Sequence, residues 1–385
     1  MNFQGSIAQE NVNFPIETVI EPLAGEQYSR ALIYIPLSQV SEYLGGMADS
    51  PSPGALITLN SSNFGTITTG ALNSYLVPFF AEAQAASVGI AVYNDTTPEE
   101  PAEGEEPEVI ENTLSEVYQN TKYWAYFKFG VCSADNYTAL QVELAQLCAA
   151  DILYSALWIG TSDQNVLTQS SALVSQLKEQ TGVRYRLIYN PDENINPAIA
   201  QLGATLATAN ATGTPVGNDI DMKAFNSIRP SGQLDAEGNR QNLSATEKGI
   251  LDNQKIGYNT YVGDGTSNVV TEGSLYNNGD LVGAEWVKAY ITYMCKVRTA
   301  NLITQGNKFR NNETYQAILL ILQDVVNRFV TFGRLANFKI TAPVFSNLIK
   351  TGDTIVINNA WQADYIDQVR SVTVYGVLYV QQPTR

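Results

Sequence analysis

The chain has 385 residues and no histidine. Ser-His-Asp and Cys-His catalysis are thereby excluded, as are zinc and iron sites that need imidazole. Carboxylate, lysine and serine chemistry survive. Asp219 and Asp221, in GNDID, have the spacing of a metal-binding or acid/base pair. No third ligand follows at EF-hand spacing, and loop carboxylates accepting turn N–H bonds account for the motif as well. Asp264 in VGDGTSN reads as an Asp-Gly turn between strands. A lysine in apolar surroundings can form a Schiff base; Lys128, within YWAYFKF, is expected to point outward from an alternating strand. Cys132, Cys148 and Cys295 cannot all pair within one chain and show no C-x-x-C spacing. They read as reduced, mostly buried thiols. No P-loop, dinucleotide-binding glycine turn or nucleophile elbow is present. The residues therefore assign no catalytic group, no metal site and no cofactor.

Charge is sparse and unevenly placed. Only 16% of residues are charged, against roughly 25% in ordinary soluble domains. Asn, Gln, Ser, Thr and Tyr fill the gap, which suits surface that is buried against partners. The net charge is −16; residues 1–150 carry 3 Lys+Arg against 18 Asp+Glu, and the remainder 19 against 20. Seven acids fall between Glu99 and Glu111, interrupted by prolines, and read as a solvated, self-repelling loop over 96–111. With no basic block, nucleic acid is not an expected partner. The opening MNFQGSIAQENVNF has neither a basic n-region nor an apolar h-region, and no run of 18 apolar residues occurs. The expectation is a chain made in the cytoplasm with no membrane partner.

The elements that would position these groups alternate. Buried-type strands are predicted at Ala31–Pro36, Ala55–Leu59, Ser87–Tyr93, Tyr123–Phe129, Ala156–Gly160 and Arg184–Tyr189. Helices are predicted over Gly70–Ala86, Asp135–Ala150, Val166–Glu179 and Pro197–Ala209, with Leu140, Leu144 and Leu147 on one face of the second. This alternation means an α/β layer with parallel or mixed strands. Further on come a helix near Ala245–Asp252 and strands at Tyr258–Gly263 and Asn268–Tyr276. Two longer helices follow, Leu281–Ile303 with a Trp286, Tyr290, Tyr293, Val297 stripe, and one from Asn312 carrying Tyr315 to Val330 at a 3,4 period. The end is β: FKITAP, DTIVI and SVTVYGVLYV. The 21 tyrosines suit core and interface packing.

Strands also stand near both termini, FPIETVI (Phe14–Ile20) and Ser371–Val380, away from sequence neighbours they could pair with. Strands added to a neighbour's sheet give main-chain bonds between subunits. With one such arm at each end, contacts run head to tail and propagate as rings or filaments. Pairing within the chain's own sheets is the other outcome the residues allow.

From Gly217 onward the order of features resembles the contractile tail sheath proteins of myovirus-type bacteriophages. The passages are DMKAFNSIRPSGQL, SATEKGILDNQKIGYNTYVGDG, TEGSLYNNGDLVGAEWV, the helices EWVKAYITYMCKV and ETYQAILLILQDVVNRF, and the ending ANFKITAP…VTVYGVLYV. The resemblance implies an α/β fold, α+β overall. An outer α/β domain (26–280) would precede an inner sheath domain (281–385), which the arm 1–25 joins and the arm 371–385 ends. Subunits would stack as six-fold rings around a tail tube and contract to drive it through the host envelope. Phe14, Ile16, Thr18 and Ile20 would then be the donated N-terminal strand, and Val372, Val374, Val377, Leu378 and Val380 the C-terminal one. The implied partners are the chain itself, the tail tube protein, and baseplate and tail terminator proteins, in a virion assembled in the host cytoplasm. On local positive charge, Lys308, Arg310, Arg328 and Arg334 are candidates to face the tube. Two rivals remain: another self-assembling virion or tube subunit, and a carboxylate- or lysine-based enzyme using Asp219 and Asp221.

Overall fold

The structure is a computed structural model. It describes residues 26–47, 51–83, 86–96, 109–192, 198, 202, 224–225, 229–261, 269–273, 275–304, 311–347, 349–351, 354–356 and 361–365. Both terminal arms, most of the acidic loop, GNDID, Asp264, Lys308 and Arg310 lie outside these residues.

A nine-stranded sheet forms the centre, in the order β2-β3-β1-β4-β5-β6-β8-β9-β7. Its strands are β1 (Arg30–Pro36), β2 (Leu56–Leu59), β3 (Ser87–Tyr93), β4 (Phe127–Gly130), β5 (Ala156–Thr161), β6 (Tyr185–Tyr189), β7 (Ala224–Phe225), β8 (Ile256–Tyr261) and β9 (Val269–Glu272). The run from β3 through β1, β4, β5 and β6 to β8 is parallel. Antiparallel strands finish both edges, β2 on β3, and β9 between β8 and β7.

Successive residues of the parallel strands enter opposite cores. Ala31, Ile33 and Ile35 of β1, Val88, Ile90 and Val92 of β3, and Phe127 and Phe129 of β4 share one apolar cluster. Leu32 and Tyr34 of β1, Ala91 and Tyr93 of β3, and Leu157 and Ile159 of β5 belong to another. A sheet buried on both faces gives unbroken apolar strands, which is why RALIYIP and SVGIAVY show no polar alternation.

The second face is covered by α3 (Leu114–Thr121), α4 (Ala134–Ala150), α5 (Ala172–Glu179) and α6 (Ala245–Gln254), through Val117, Leu140, Leu144, Leu177 and Leu251. Capping boxes start two of these helices, Thr113 with Glu116 for α3 and Ser244 with Glu247 for α6. A short helix α1 (Val40–Tyr43) follows β1. On the first face lie α2 (Ala71–Glu82), through Leu72, Leu76 and Phe79, and α7 (Val282–Thr304), through Trp286, Tyr290 and Met294.

Helix α7 carries the rest of the chain. Its Tyr290 ring meets Phe329 of α8 (Asn312–Thr331) with centroids 5.6 Å apart. Leu322, Val325, Val326 and Phe329 of α8 join the sheet's own cluster, together with Leu335 of β10 (Leu335–Ile340) and Trp361 of β13 (Trp361–Tyr365). Gly333, at φ +71, turns the chain out of α8, and the Arg334 amide caps the helix by donating to the Phe329 carbonyl at 2.8 Å. β10 and β13 form a two-stranded antiparallel ribbon, and β11 (Ile349–Thr351) with β12 (Thr354–Val356) a hairpin.

Two sequence expectations are corrected. The aromatic strand begins at Phe127, not Tyr123, because Lys122 and Trp124 still donate backwards to Tyr118 and Thr121 in the exit of α3. The predicted helix Val166–Glu179 is two elements: a 3-10 turn at Gln164–Thr168 ends at Gln169, at φ +59, and Ser171 starts α5 afresh by capping the Val174 amide.

One core spanning sheet, α7 and α8 should unfold as one unit. Phe329→Ala is expected to cost about 3–5 kcal/mol and to shift a single urea transition followed by both tyrosine absorbance and far-UV circular dichroism. Two separated transitions, with only one moved, would show that the sheet and the α7–α8 body are independent.

Candidate functional site

In open α/β sheets, ligands bind outside the carboxyl ends of the strands, at the point where connections leave in opposite directions. That point lies here beside β1, which has β3 on one side and β4 on the other. Its mouth is bridged by the chain's own side chains. Gln39 Nε2 donates to Ser133 Oγ at 2.9 Å, and the Ser133 amide donates to Gln39 Oε1 at 2.7 Å. Ser38 donates to Asp95 through its amide, at 3.0 Å, and its hydroxyl, at 2.5 Å. The Ser133 groups that open α4, where an anion would otherwise dock, are thus taken by Gln39. Cys132 sits beside this mouth with its thiol pushed up to about 12 by burial and by the Asp95 carboxylate. Cys148 and Cys295 are likewise free, buried and raised to about 12. Thiols so far from ionisation are poor nucleophiles.

Lys128 contradicts its expected outward position: its side chain is 0% exposed. The alternation rule assumes one wet face, whereas β4 lies mid-sheet with helices on both sides. Its Nζ donates to the Lys122 carbonyl at 2.9 Å and also to the Ala125 carbonyl. The ammonium therefore closes the α3–β4 connection from inside. Desolvation brings Lys128 down to about 7, against a smaller opposing pull from Cys148 and Asp151. Outside it, Lys122 pairs with Asp151 at 3.2 Å. A nearly neutral amine could act as a nucleophile, but this one is enclosed and held by carbonyl oxygens.

The tube-facing candidates divide. Arg328 lies 3.5 Å from Asp324, which also pairs with Arg298 across from α7. Arg334 is half-buried just beyond α8. Both sit at the carboxyl end of that helix, while Lys308 and Arg310 precede its amino end in sequence. About 24 Å of helix separates Asn312 from Arg328; where Lys308 and Arg310 sit lies outside the described residues.

Charges that sequence reasoning passed over hold α7 to the sheet. Arg184, at the head of β6, pairs with Glu285 in the first turn of α7 at 2.6 Å, and Lys288 approaches the same carboxylate at 3.3 Å. Arg186 is wholly buried, stacks 5.2 Å over the Trp158 ring and donates to the Gly273 carbonyl at 2.6 Å. The RYR spacing in β6 was the available signal: residues two apart share one face of a strand. Among the described residues no group of carboxylates and thiols could hold a metal ion, and no helix is long and apolar enough to cross a membrane.

Against known proteins, no family matches the sequence. A stretch of 93 residues, 24% of the chain, is 29% identical to the bifunctional protein GlmU of Corynebacterium efficiens and spans 19% of that protein's length. The fold is shared far more widely. A chain in the six-fold symmetrised cryo-EM structure of the anti-feeding prophage baseplate superposes with a TM-score of 0.61 at 12% identity, over 92% of this chain and 94% of that one. The sheath tail protein Lin1278 of Listeria innocua gives 0.46 at 8% identity, over 88% and 98%. The baseplate chain therefore shares this fold over most of both chains.

The enclosed lysine makes stability depend on pH. Unfolded, Lys128 titrates near its ordinary 10.5; folded, it titrates near 7. Between these values the unfolded chain holds a proton that the folded chain lacks, so stability rises with pH through the window and is lowest below it. Lys128→Met removes this contribution. From pH 6 to pH 9 the unmodified chain is expected to gain about 2–3 kcal/mol relative to the variant in urea unfolding. Parallel pH profiles for the two would show that Lys128 stays charged when folded.

Proposed function

We propose that this chain is a structural subunit of a contractile tail sheath of a myovirus-type phage, and not an enzyme. The observation that carries the reading is the fold held in common with the prophage baseplate chain over nearly the whole of both chains. On this reading, residues 26–280 form the outer domain, with the acidic 96–111 loop on the outside, where like charges keep finished tails apart. Residues 281–385 with the arm 1–25 form the inner domain, built on α7 and α8. Subunits assemble in the host cytoplasm as stacked six-membered rings around a tail tube, between baseplate and terminator proteins, and become part of the virion.

The geometry supports strand exchange as the linkage. Among the described residues the β10–β13 ribbon has two strands, and a two-stranded ribbon is marginal by itself. Strands donated by neighbours, Phe14–Ile20 from one and Ser371–Val380 from another, would widen it into a stable sheet. The lattice would then stay connected through main-chain bonds while rings rotate and shorten. Stored energy would reside in subunit interfaces, released when the baseplate triggers contraction. A second reading, another self-assembling subunit such as a baseplate ring protein, is favoured by the baseplate origin of the matched chain. It predicts closed single rings in place of long cylinders.

Negative-stain microscopy of the concentrated full chain tests the assembly. Striated hollow cylinders are expected from it, and only monomers from a chain lacking residues 1–20 and 371–385. Closed single rings would favour the second reading. Uniform small particles from both chains would remove self-assembly as the function.

The tube contact is tested by reversing Lys308, Arg310, Arg328 and Arg334 to Glu together. Exposed ion pairs contribute roughly 0–1 kcal/mol each, so tube decoration should weaken by several-fold or more while sheath–sheath assembly persists. Undiminished decoration would place the tube contact elsewhere.

A further inference from the structure

The two strands of the β10–β13 ribbon differ in what their outer edges can accept. Along β10, Leu335, Phe338 and Ile340 pack on the core, while Asn337 and Lys339 are exposed. Leu335 and Phe338 are three residues apart, whereas the faces of a regular strand repeat every two. One extra residue restores the phase: Asn337 and Phe338 together oppose Ala363, between the pairs Ala336–Asp364 and Lys339–Gln362. Asn337 takes up the bulge at φ +52, a left-handed backbone that asparagine tolerates better than most residues. Its Nδ2 donates across the ribbon to Asp364 Oδ2 at 2.7 Å. Without the extra residue Phe338 would turn away from the core and from the Trp361 ring, whose centroid lies 6.4 Å from its own. The packing of the ribbon itself therefore demands the bulge.

A bulge bends its strand, raises the local twist and interrupts the ladder. Bulges and exposed lysines are also the devices by which sheet edges refuse further strands. β10 has both, the bulge at Asn337 and the exposed Lys339 two residues on. β13 is regular. Trp361 and Ala363 pack inward and Gln362 and Asp364 are exposed, in unbroken alternation. The edge of β13 that faces away from β10 thus keeps the even spacing of amides and carbonyls that another strand needs. The one charge in this strand, Asp364, is held back across the ribbon by Asn337.

The sequence after Tyr365 suits this edge. The residues IDQVR (366–370) lead to SVTVYGVLYV and include no glycine, proline or asparagine, the residues that turn a strand back on its neighbour. Within Ser371–Val380 the even positions are Val372, Val374, Gly376, Leu378 and Val380, the period of a strand with one face on a core. This arm has no proline. The other arm, Phe14–Ile20, contains Pro15, which has no amide to give a ladder and so confines its strand to an outer position. Resting on the strand-exchange reading above, we infer that the ribbon grows on one side only. β10 is the closed edge, and Ser371–Val380 of a neighbouring copy adds directly to β13. Phe14–Ile20 of a further copy then lies outside that strand, as the new edge.

The test is residue-resolved hydrogen exchange of the full chain, dilute and concentrated. On concentration, the amides of Trp361–Tyr365 that face away from β10 are expected to exchange about tenfold more slowly or better, as those of a docked strand do. The amides of Leu335–Ile340 that face away from β13 should exchange as before. Val374→Pro, which removes an amide from the arm and leaves the ribbon's own residues unchanged, should abolish the gain. A gain in β10, or none in either strand, overturns the inference. So does protection of β13 that is equal at both concentrations, since the chain's own arm would then hold it, or a gain that survives Val374→Pro. Negative-stain images of the same samples judge the sheath reading separately. Protection of β13 in particles that are not cylinders keeps the edge and ends the sheath; cylinders without that protection keep the sheath and end the edge.

Discussion

The described elements beyond residue 280 depend on a requirement of the central sheet: both of its faces must be kept from water. The face with Ile33, Ile35, Phe127, Phe129 and Trp158 is long and aromatic, and α2 shares its cluster through Leu72, Leu76 and Phe79. The Trp286, Tyr290 and Tyr293 stripe of α7 supplies further cover, with Trp286 against Phe127 at 5.4 Å and Tyr290 and Tyr293 against Tyr28 at 5.4 and 5.7 Å. Fully burying side chains of this size contributes about 1.5–3 kcal/mol each, far more than any exposed ion pair. Once α7 is committed to the sheet, α8 and the β10–β13 ribbon have their place on its other side.

A chain with so few charges uses each buried one as a fastener. Arg184 reaches from β6 to Glu285, Arg186 bonds the Gly273 carbonyl, and Lys128 bonds the carbonyls of its own connection. None of these is a source of large net stability, since desolvation consumes much of what pairing returns. Their effect is selectivity. An α7 shifted by one turn would leave Arg184 and Glu285 partly buried without each other, an arrangement costlier than the pair is favourable. Apolar burial decides that α7 docks; the polar contacts beneath its first turn decide where.

Much of this was legible beforehand, for an identifiable reason. Strands buried on both faces appear as apolar runs with clear ends, so Ser87–Tyr93 was bounded as found and Ala31–Pro36 within one residue. The α7 stripe and the α8 period were plain because one-sided packing imposes a 3.6 period. Lys128 was misread by the same logic: a lone polar residue in an apolar strand signals solvent only where solvent is present. The break at Gln169 left little trace, because its left-handed backbone is one that glycine or asparagine usually marks. Pairings such as Arg184 with Glu285, 101 residues apart, carry no local pattern at all. Local charge alone selected Arg328 and Arg334, and it could not show that Arg328 already faces Asp324.

The same physics bears on how a fold of the ligand-binding type would serve the proposed assembly. Two features distinguish a doubly wound sheet that binds small molecules: an open crevice at the carboxyl ends, and a helix amino terminus free to meet an anion. Here Gln39 and Ser133 satisfy each other across that crevice, and Ser38 and Asp95 do the same beside it. Polar groups already paired inside the chain offer a ligand little, because each new bond must replace an existing one. On the proposed reading the bonding capacity that matters is that of the β10–β13 ribbon, which has two strands among the described residues. Main-chain edges are indifferent to sequence and present on every copy, so they suit recognition of the chain by itself. A rigid body with its crevice closed and its ribbon extendable is what the proposed sheath requires. The body must transmit displacement without deforming, while the links between bodies stay intact as the lattice changes pitch.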